Sequence, residues 1–209
     1  MILVLATENK DKGKEVASII GNQPHIQLRL LSDYPGLTLP PEDGRTYQEN
    51  AMAKARYAAK STGQWAIGDD SGLEIDALNG APGLYSARFA GEKVSYADNR
   101  NKALDLLCDV SDEKRSARFI CTVGIVSPSG DFEASVDGQC EGLIARVGSG
   151  DSGFGYDPIF YLPQYGKTFS ECSSEEKNQI SHRGKATRTA IQLILEKMYG
   201  ESSLGGGSV

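Results

Sequence analysis

The chain has 209 residues, of which 39% are hydrophobic and 24% charged, and its formal net charge at pH 7 is −6. A chain of this length suits one domain with a sizeable core, and no apolar run approaches the roughly 20 residues that span a bilayer. The acidic balance, with a pI near 5.0, argues against a surface that binds nucleic acid. Because the first residues lack the basic start and cleavage site of an export signal, we expect a cytoplasmic protein without membrane or nucleic-acid partners.

The first third of the chain alternates between strand-like and helix-like segments. A short apolar run opens it, and apolar residues at helical spacing follow. Further along, Thr46 and Glu49 form a capping box that opens a helix, and Gly63 is a typical helix stop. The predicted elements are strand 2–6, helix 10–20, strand 26–31, loop 32–45, a helix from 46 to about 62, and strand 65–69.

The remaining residues predict more strands and a helical end. Ser95 is a suitable cap for the next helix, and a Pro-Ser-Gly turn at 128–130 joins two strands as a hairpin. We expect 1–200 to form one domain and the polar tail 201–209 to be disordered. The predicted elements are loop 77–92, helix 96–108, strands 116–127, 131–137 and 139–147, a glycine-rich loop 148–157, and helices from Ser173 and from Ser181 to about Tyr199.

The hexapeptide GDDSGL at 68–73 carries two adjacent carboxylates where strand 65–69 is expected to end. Successive strand residues point to opposite faces, so Asp69 and Asp70 serve different sites unless a turn has begun. The spacing fits neither a D-x-D phosphoaspartate motif nor a G-x-S-x-G elbow around Ser71. Two hypotheses stay open: a carboxylate that ligates a hard cation, for which Mg²⁺ is expected near phosphates, and an Asx-type turn.

Lysines stand where an anion could bind. The segment TENKDK at 7–12 lies between the first predicted strand and helix, where free backbone N–H groups face an anion and Lys12 adds positive charge. Lys54 shares a helix face with Asn50, four residues before it. A phosphate site and a solvated, lysine-rich surface are both consistent with these patterns.

Two segments near the end of the chain could hold a planar ligand. Phe154 and Tyr156, in the glycine-rich loop, offer flat faces on which a base could stack. His182 and Arg183 stand at the start of the last predicted helix. Neither segment is decisive alone.

Taken together, these segments resemble the inosine triphosphate pyrophosphatase family, also called XTP/dITP pyrophosphatases. The resemblance covers the chain from Ile2 to about Tyr199. It rests on six ordered motifs: T-x-N-x-x-K at 7–12 followed by Glu15, T-Y-Q-E-N-A-x-x-K-A at 46–55, D-D-S-G-L at 69–73, G-A-P-G-x-Y-S-A-R at 80–88, F-G-Y-D-P at 154–158 and S-H-R-G at 181–184.

The resemblance implies an α/β fold, with an elongated mixed β-sheet flanked by helices and two lobes around a central active-site cleft. It also implies a homodimer and Mg²⁺-dependent hydrolysis of ITP, dITP or XTP to monophosphate and pyrophosphate, with water attacking the α-phosphorus. Two other functions stay open beside it. One is a septum-formation-inhibitor-like pyrophosphatase that acts on pyrimidine or modified nucleotides, and the other is a nucleotide-binding protein without catalytic activity.

The resemblance also implies roles for individual residues. Asp70 would be the catalytic carboxylate and a metal ligand, with Asp69 as structural support. Glu42 is the first choice for a second metal ligand and Glu49 the alternative. Phosphate contacts would come from Thr7, Asn9, Lys12 and Lys54, with Glu8, Lys10 and Asp11 in the same binding loop; Ser71 would touch the substrate, and Phe154, Gly155, Tyr156, Asp157, Lys177, His182 and Arg183 would form the base pocket.

One residue departs from the family pattern. Glu8 stands where relatives commonly carry glycine. A carboxylate beside a triphosphate is unfavourable, so we expect the Glu8 side chain to turn outward.

Overall fold

The computed structural model describes residues 1–21 and 23–200, so the predicted tail lies outside the described residues. One mixed sheet has the strand order β2-β1-β3-β4-β5-β6-β7. Its strands are β1 Ile2–Ala6, β2 Gln27–Leu30, β3 Trp65–Ile75, β4 Ser116–Val126, β5 Glu133–Ile144, β6 Phe160–Leu162 and β7 Lys167–Thr168. Strand β1 runs parallel to β2 and β3, and the other neighbouring strands are antiparallel. The predicted α/β fold with a mixed sheet is confirmed.

Five α-helices flank the sheet among the described residues: α1 Lys10–Ile20, α2 Tyr47–Thr62, α3 Tyr96–Leu106, α4 Ser174–Ile180 and α5 His182–Gly200. The predicted N-cap residues cap the first turns of α2, α3 and α4. The hydroxyl oxygens of Thr46, Ser95 and Ser173 each accept from the backbone N–H three residues later. These signals are local, which is why the sequence placed the helix starts well. None of the helices in this part of the chain is long and apolar enough to cross a membrane.

The prediction that a strand ends at GDDSGL is wrong. Strand β3 runs through the hexapeptide to Ile75 and pairs with β4 along its length. Gly68 and Gly72 do not turn the chain. Another part of the backbone packs too closely against each of them to leave room for a Cβ: α2 lies against Gly68, and Gly83 lies against Gly72. The Asx-turn hypothesis is therefore wrong as well.

The division of residues 131–147 into two strands is also wrong. Strand β5 is continuous from Glu133 to Ile144. Gly138 was the apparent break, but a Cβ there would meet the backbone of α5 at His182 and Ala186. The predicted loop 77–92 contains two short 3-10 turns, Asp76–Leu78 and Gly83–Arg88.

Helix α2 covers one face of the sheet, and α1 and α5 cover the other. Ala66 of β3 belongs to the core cluster beside α2, whereas Ile67 belongs to the cluster beside α1 and α5. The alternation continues into the hexapeptide, so Asp70 faces α2 and Asp69 faces α5. The predicted separation of the two carboxylates onto opposite faces is confirmed. No turn lies between them, because β3 continues to Ile75.

Candidate active site

A cavity of about 360 Å³ opens over the middle of β3. The β1–α1 loop, α2, the glycine-rich loop and the start of α5 surround it. The predicted site residues that line it are Thr7, Glu8, Asn9, Lys12, Glu42, Lys54, Asp70, Ser71, Phe154, Gly155, Tyr156, Asp157, Lys177, His182 and Arg183. Lys10, Asp11 and Glu49 do not line it: Asp11 faces a neighbouring crevice, and Glu49 accepts from the backbone N–H of Arg45.

Asp70 lies at one end of the cavity, where α2 supplies its partners. Asn50 Nδ2 donates to Asp70 Oδ2 over 2.9 Å, and Lys54 Nζ lies 3.6 Å from Asp70 Oδ1. Burial raises the pKa of the Asp70 carboxyl, and the positive charges of Lys54 and Lys12 offset this only in part. The carboxylate is therefore short of positive charge in this arrangement.

The same lysine joins Asp70 to Glu42. Lys54 Nζ donates to Glu42 Oε1 and to the backbone oxygen of Asp69, both over 2.6 Å. Burial alone would raise the pKa of Glu42, but Lys54 lowers it overall. One ammonium thus reaches both carboxylates, which shows that a single cation can lie between them.

These two carboxylates fit a hard divalent cation. No group of three or more His, Cys, Asp or Glu side chains within residues 1–21 and 23–200 is arranged to hold a metal. Mg²⁺ commonly takes only one or two protein carboxylates and completes its shell with water and substrate phosphates. Asp70 and Glu42 are the two carboxylates here that could hold such a cation, whereas Glu49 is occupied at the start of α2.

Asp69, on the opposite face of β3, has many partners. Lys12 forms an ion pair with its Oδ1, while Arg183 Nε and Cys121 Sγ lie 2.9 and 3.0 Å from its Oδ2. Burial alone would raise the pKa of Asp69, but the charges of Arg183 and Lys12 hold it well below its usual range. Asp69 is a fully satisfied buried anion.

The ion pairs continue from Arg183 toward the other end of the cavity. Arg183 Nη1 lies 2.5 Å from Glu15 Oε2, and Lys177 Nζ lies 2.5 Å from both Glu15 Oε1 and Asp157 Oδ2. The Asp157 carboxylate also accepts from the backbone N–H of Phe154 over 2.7 Å. These contacts join α1, α4, α5 and the glycine-rich loop.

Aromatic side chains give this second end flat surfaces. Lys177 Nζ lies 5.2 Å from the ring centroid of Phe154, and the guanidinium carbon of Arg183 lies 5.6 Å from it. His182 stacks on Phe119, with centroids 4.6 Å apart and planes inclined by 8°. A planar ligand could stack here in the same way.

His182 is a neutral imidazole with a free nitrogen. Its Nδ1 has no hydrogen-bond partner among the described residues. Burial first, and the charges of Arg183 and Lys177 next, hold the pKa of His182 well below its usual value. A neutral imidazole can donate from one nitrogen and accept at the other, so His182 can match the polar edge of a ligand.

The sequence did not reveal several residues that build the walls. Phe119 carries the His182 ring, Tyr96 closes the cavity beside Asn9, and Arg100 Nη1 donates to the oxygen of Gly155 over 2.7 Å. In the sequence, Phe119 is one apolar residue of a strand, and the other two are polar residues on a helix. No local signal distinguishes them, because their role depends on what the fold brings beside them.

The Glu8 side chain lines the cavity rather than turning outward from it, and its Oε1 accepts from the backbone N–H of Leu39 over 3.4 Å. The contact connects the β1–α1 loop to the loop that carries Glu42.

Comparisons with known proteins identify the family to which the chain is similar. The profile of the Ham1 family matches residues 3–193. A dITP/XTP pyrophosphatase of Desulforamulus reducens is 49% identical over 199 residues, which cover 95% of this chain and 98% of the relative, and one of Bacillus anthracis is 44% identical over 200 residues, with 95% and 98% covered.

Solved structures agree as well. A HAM1 protein from Coxiella burnetii superimposes with a TM-score of 0.83 at 39% identity, covering 94% of this chain and 99% of that one. The Staphylococcus aureus Ham1 protein gives a TM-score of 0.79 at 39% identity, with 96% and 100% covered. The resemblance inferred from six motifs is confirmed, and the chain belongs to the Ham1 family.

Proposed function

We propose that this protein hydrolyses ITP, dITP and XTP to the monophosphate and pyrophosphate, which removes these abnormal purine nucleotides from the precursor pool. The observation that carries the proposal is one cavity with two chemically different ends. Carboxylates and lysines meet at the Asp70 end, and aromatic rings with a neutral histidine meet at the other. The family and the names of its relatives support the same reaction.

At the phosphate end, the chain's own residues position the triphosphate. Lys12 and Lys54 would contact its oxygens, with Thr7, Asn9 and Ser71 as neutral partners. Displacement at phosphorus depends on in-line positioning and charge neutralisation more than on covalent chemistry. Four acidic and four basic side chains line the cavity, so the protein alone does not neutralise a triphosphate.

A bound cation would resolve this charge imbalance. Ham1 pyrophosphatases need a divalent metal, and we propose Mg²⁺ held by Asp70 and Glu42. When bound, it would offset the negative charge of the phosphates.

Asp70 is proposed to orient the attacking water and to accept its proton. Asn50 anchors its Oδ2, while its Oδ1, the oxygen nearer Lys54, accepts from the backbone N–H of Ser71 over 3.1 Å. Burial raises the pKa of Asp70 in the protein alone, whereas a bound Mg²⁺ would lower it and so would favour orienting the water over deprotonating it. The charge of Lys54 offsets part of that rise.

At the base end, Phe154 is proposed to stack on the purine, with Gly155 and Tyr156 shaping the loop around it. His182 and Arg183 would lie near the 6-keto oxygen, and Lys177 and Asp157 beside the rest of the edge. A keto oxygen satisfies donors at this position. The amino group of adenine would leave them unpaired, at a cost on the order of 1–3 kcal/mol each.

A substrate panel tests the proposal. The protein should be incubated with ITP, dITP, XTP, ATP, GTP, CTP and UTP plus Mg²⁺, and pyrophosphate and orthophosphate measured separately. We expect pyrophosphate from the first three at rates at least about 10²-fold above those from ATP and GTP. Orthophosphate as the first product would refute the cleavage position, a pyrimidine preference would favour the septum-type alternative, and ITP binding without turnover would favour a binding protein.

The assembly is a separate proposal. The homodimer, the cytoplasmic location and the single domain of residues 1–200 follow from the family resemblance and the sequence and stay predictions. Light scattering behind size exclusion would test the dimer, since a mass near 22.4 kDa would indicate a monomer.

A further inference from the structure

Asp69 contacts side chains from both ends of the cavity. It is only 2% exposed and does not line the cavity. One oxygen pairs with Lys12, which lies at the phosphate end, and the other accepts from Arg183, which lies at the base end. A single carboxylate therefore holds one cation of each end.

The contacts around it form an unbranched series of alternating charges. In order, the series is Lys12, Asp69, Arg183, Glu15, Lys177 and Asp157. Its three positive and three negative charges balance. Because the carboxylates and cations are largely shielded from water, each pair interacts more strongly than it would at the surface, and one pair affects the next.

Arg183 also connects this series to Ser71, which lines the cavity. Its Nη2 donates to Ser71 Oγ over 2.8 Å, in addition to the bonds from Nε to Asp69 and from Nη1 to Glu15. The planar guanidinium holds its donors in a rigid arrangement. Any ligand that draws Arg183 toward the base end therefore changes its bond to Asp69.

We infer that Asp69 is a positioning residue that couples occupation of the base end to the placement of Lys12 at the phosphate end. The inference rests on the proposed function, since it assigns the two ends to base and phosphate. Coupling of this kind is reciprocal: a ligand at either end changes the affinity of the other end by the same factor. A wrong base would then impair phosphate positioning as well as binding.

Two compounds that correspond to parts of the substrate ITP test this coupling without any turnover. Inosine fills the base end, and inorganic pyrophosphate with Mg²⁺ fills the phosphate end. Calorimetric titration of pyrophosphate, with and without saturating inosine, should show a change in its Kd of at least about fivefold in the wild type. Unchanged affinity in the wild type would overturn the inference, even if the protein hydrolyses ITP as proposed.

The Asp69→Asn variant then tests the residue. It keeps the shape of the side chain but removes its charge, so we expect the inosine effect to fall below about twofold. Cys121→Ser is the matched control, because it keeps a donor beside Asp69 and changes no charge; its inosine effect should match that of the wild type. A full effect in Asp69→Asn, or a lost effect in Cys121→Ser, would overturn the role of Asp69.

Asp69→Asn leaves two buried cations without their anion, so circular dichroism must show that it is folded. If it is not, Asp69→Glu keeps the charge and displaces both oxygens. We expect this variant to change the inosine effect by at least about twofold. An unchanged effect in a folded Asp69→Glu would contradict the inference. Failure of the wild type to release pyrophosphate from ITP would instead count against the proposed function alone.

Discussion

Asp69 and Asp70 are neighbours in sequence, are both buried, and have opposite electrostatic surroundings. Asp69 lies on the α5 face, where Lys12 and Arg183 hold its pKa well below the usual range. Asp70 lies on the α2 face, where burial raises its pKa and the nearest ammonium is 3.6 Å away. Strand alternation separates the two carboxylates by face, and packing on each face then determines their partners.

The difference lies in the number of cationic partners: among the described residues, Asp69 pairs with Lys12 and Arg183, whereas Asp70 has only Lys54 within 4 Å. A carboxylate whose lone pairs are all used stabilises the fold and cannot accept more. A carboxylate with too few partners is costly to bury, but it can bind a cation or orient water. The predictions below test this contrast, beginning with the largest expected effect.

Replacing Asp70, the carboxylate with fewer cationic partners, should abolish most activity. Asp70→Asn should lower kcat for ITP by about 10³- to 10⁴-fold, because the amide cannot accept a proton from water and binds a hard cation poorly. Steady-state pyrophosphate release measures this. Asp137→Asn is the control: that carboxylate accepts from Thr122 on the same sheet but does not line the cavity, so its kcat should stay within about twofold. Near-normal turnover in Asp70→Asn would remove this residue from the mechanism.

Replacing Asp69, the carboxylate with two cationic partners, should mainly reduce stability. Asp69→Asn should lower the free energy of unfolding by about 3–5 kcal/mol, because it leaves Lys12 and Arg183 buried with less negative charge. Urea unfolding at pH 7 measures it. Asp70→Asn serves as the matched comparison and should change stability by no more than about 1 kcal/mol, since a carboxylate with a raised pKa gains nothing from being ionised. Equal losses in the two variants would contradict the contrast.

The contribution of Asp69 should depend on pH. Its pKa is lower in the folded than in the unfolded protein, so its stabilisation is present above the unfolded value of 3.8 and is lost as pH falls through the folded value. The stability gap between wild type and Asp69→Asn should therefore shrink below pH 3.8. Urea titrations at pH 7, 4 and 3 would show this. A gap that widens on acidification would mean that the ionised form is not favoured by folding.

Glu8 provides the smallest expected effect, because its side chain is exposed and its one hydrogen bond within residues 1–21 and 23–200 is the 3.4 Å bond from Leu39. Glu8→Gly should lower the KM for ITP by about two- to fivefold at low ionic strength, since it removes a negative charge beside the phosphates. Glu8→Gln separates charge from size and should give a similar shift. A decrease in Glu8→Gly alone would indicate that loop shape matters more than charge.

The sequence alone determined the features that depend on neighbouring residues. The caps at Thr46, Ser95 and Ser173 placed three helix starts, because each cap bonds to a backbone N–H three residues away. The alternation of strand side chains separated Asp69 from Asp70. The six ordered motifs identified the family, and each of them contributes at least one residue to one cavity.

Tertiary packing decided the rest, and glycine shows why. Gly72 follows the predicted end of one strand and Gly138 separates two predicted strands, yet each lies inside a strand where another backbone passes too close for a Cβ. In the sequence, a glycine that permits a turn cannot be distinguished from a glycine that permits close packing. Only the element that packs against it shows which role it has.

The same limit applies to charge. Nothing near Asp69 in the sequence indicates Arg183, which is 114 residues away and forms the bond that makes Asp69 a structural anion. Electrostatic environment depends on distance in space and on exclusion of water, neither of which a linear pattern records. The sequence therefore determined that two carboxylates lie on opposite faces, and the fold decided which of them is paired with two cations.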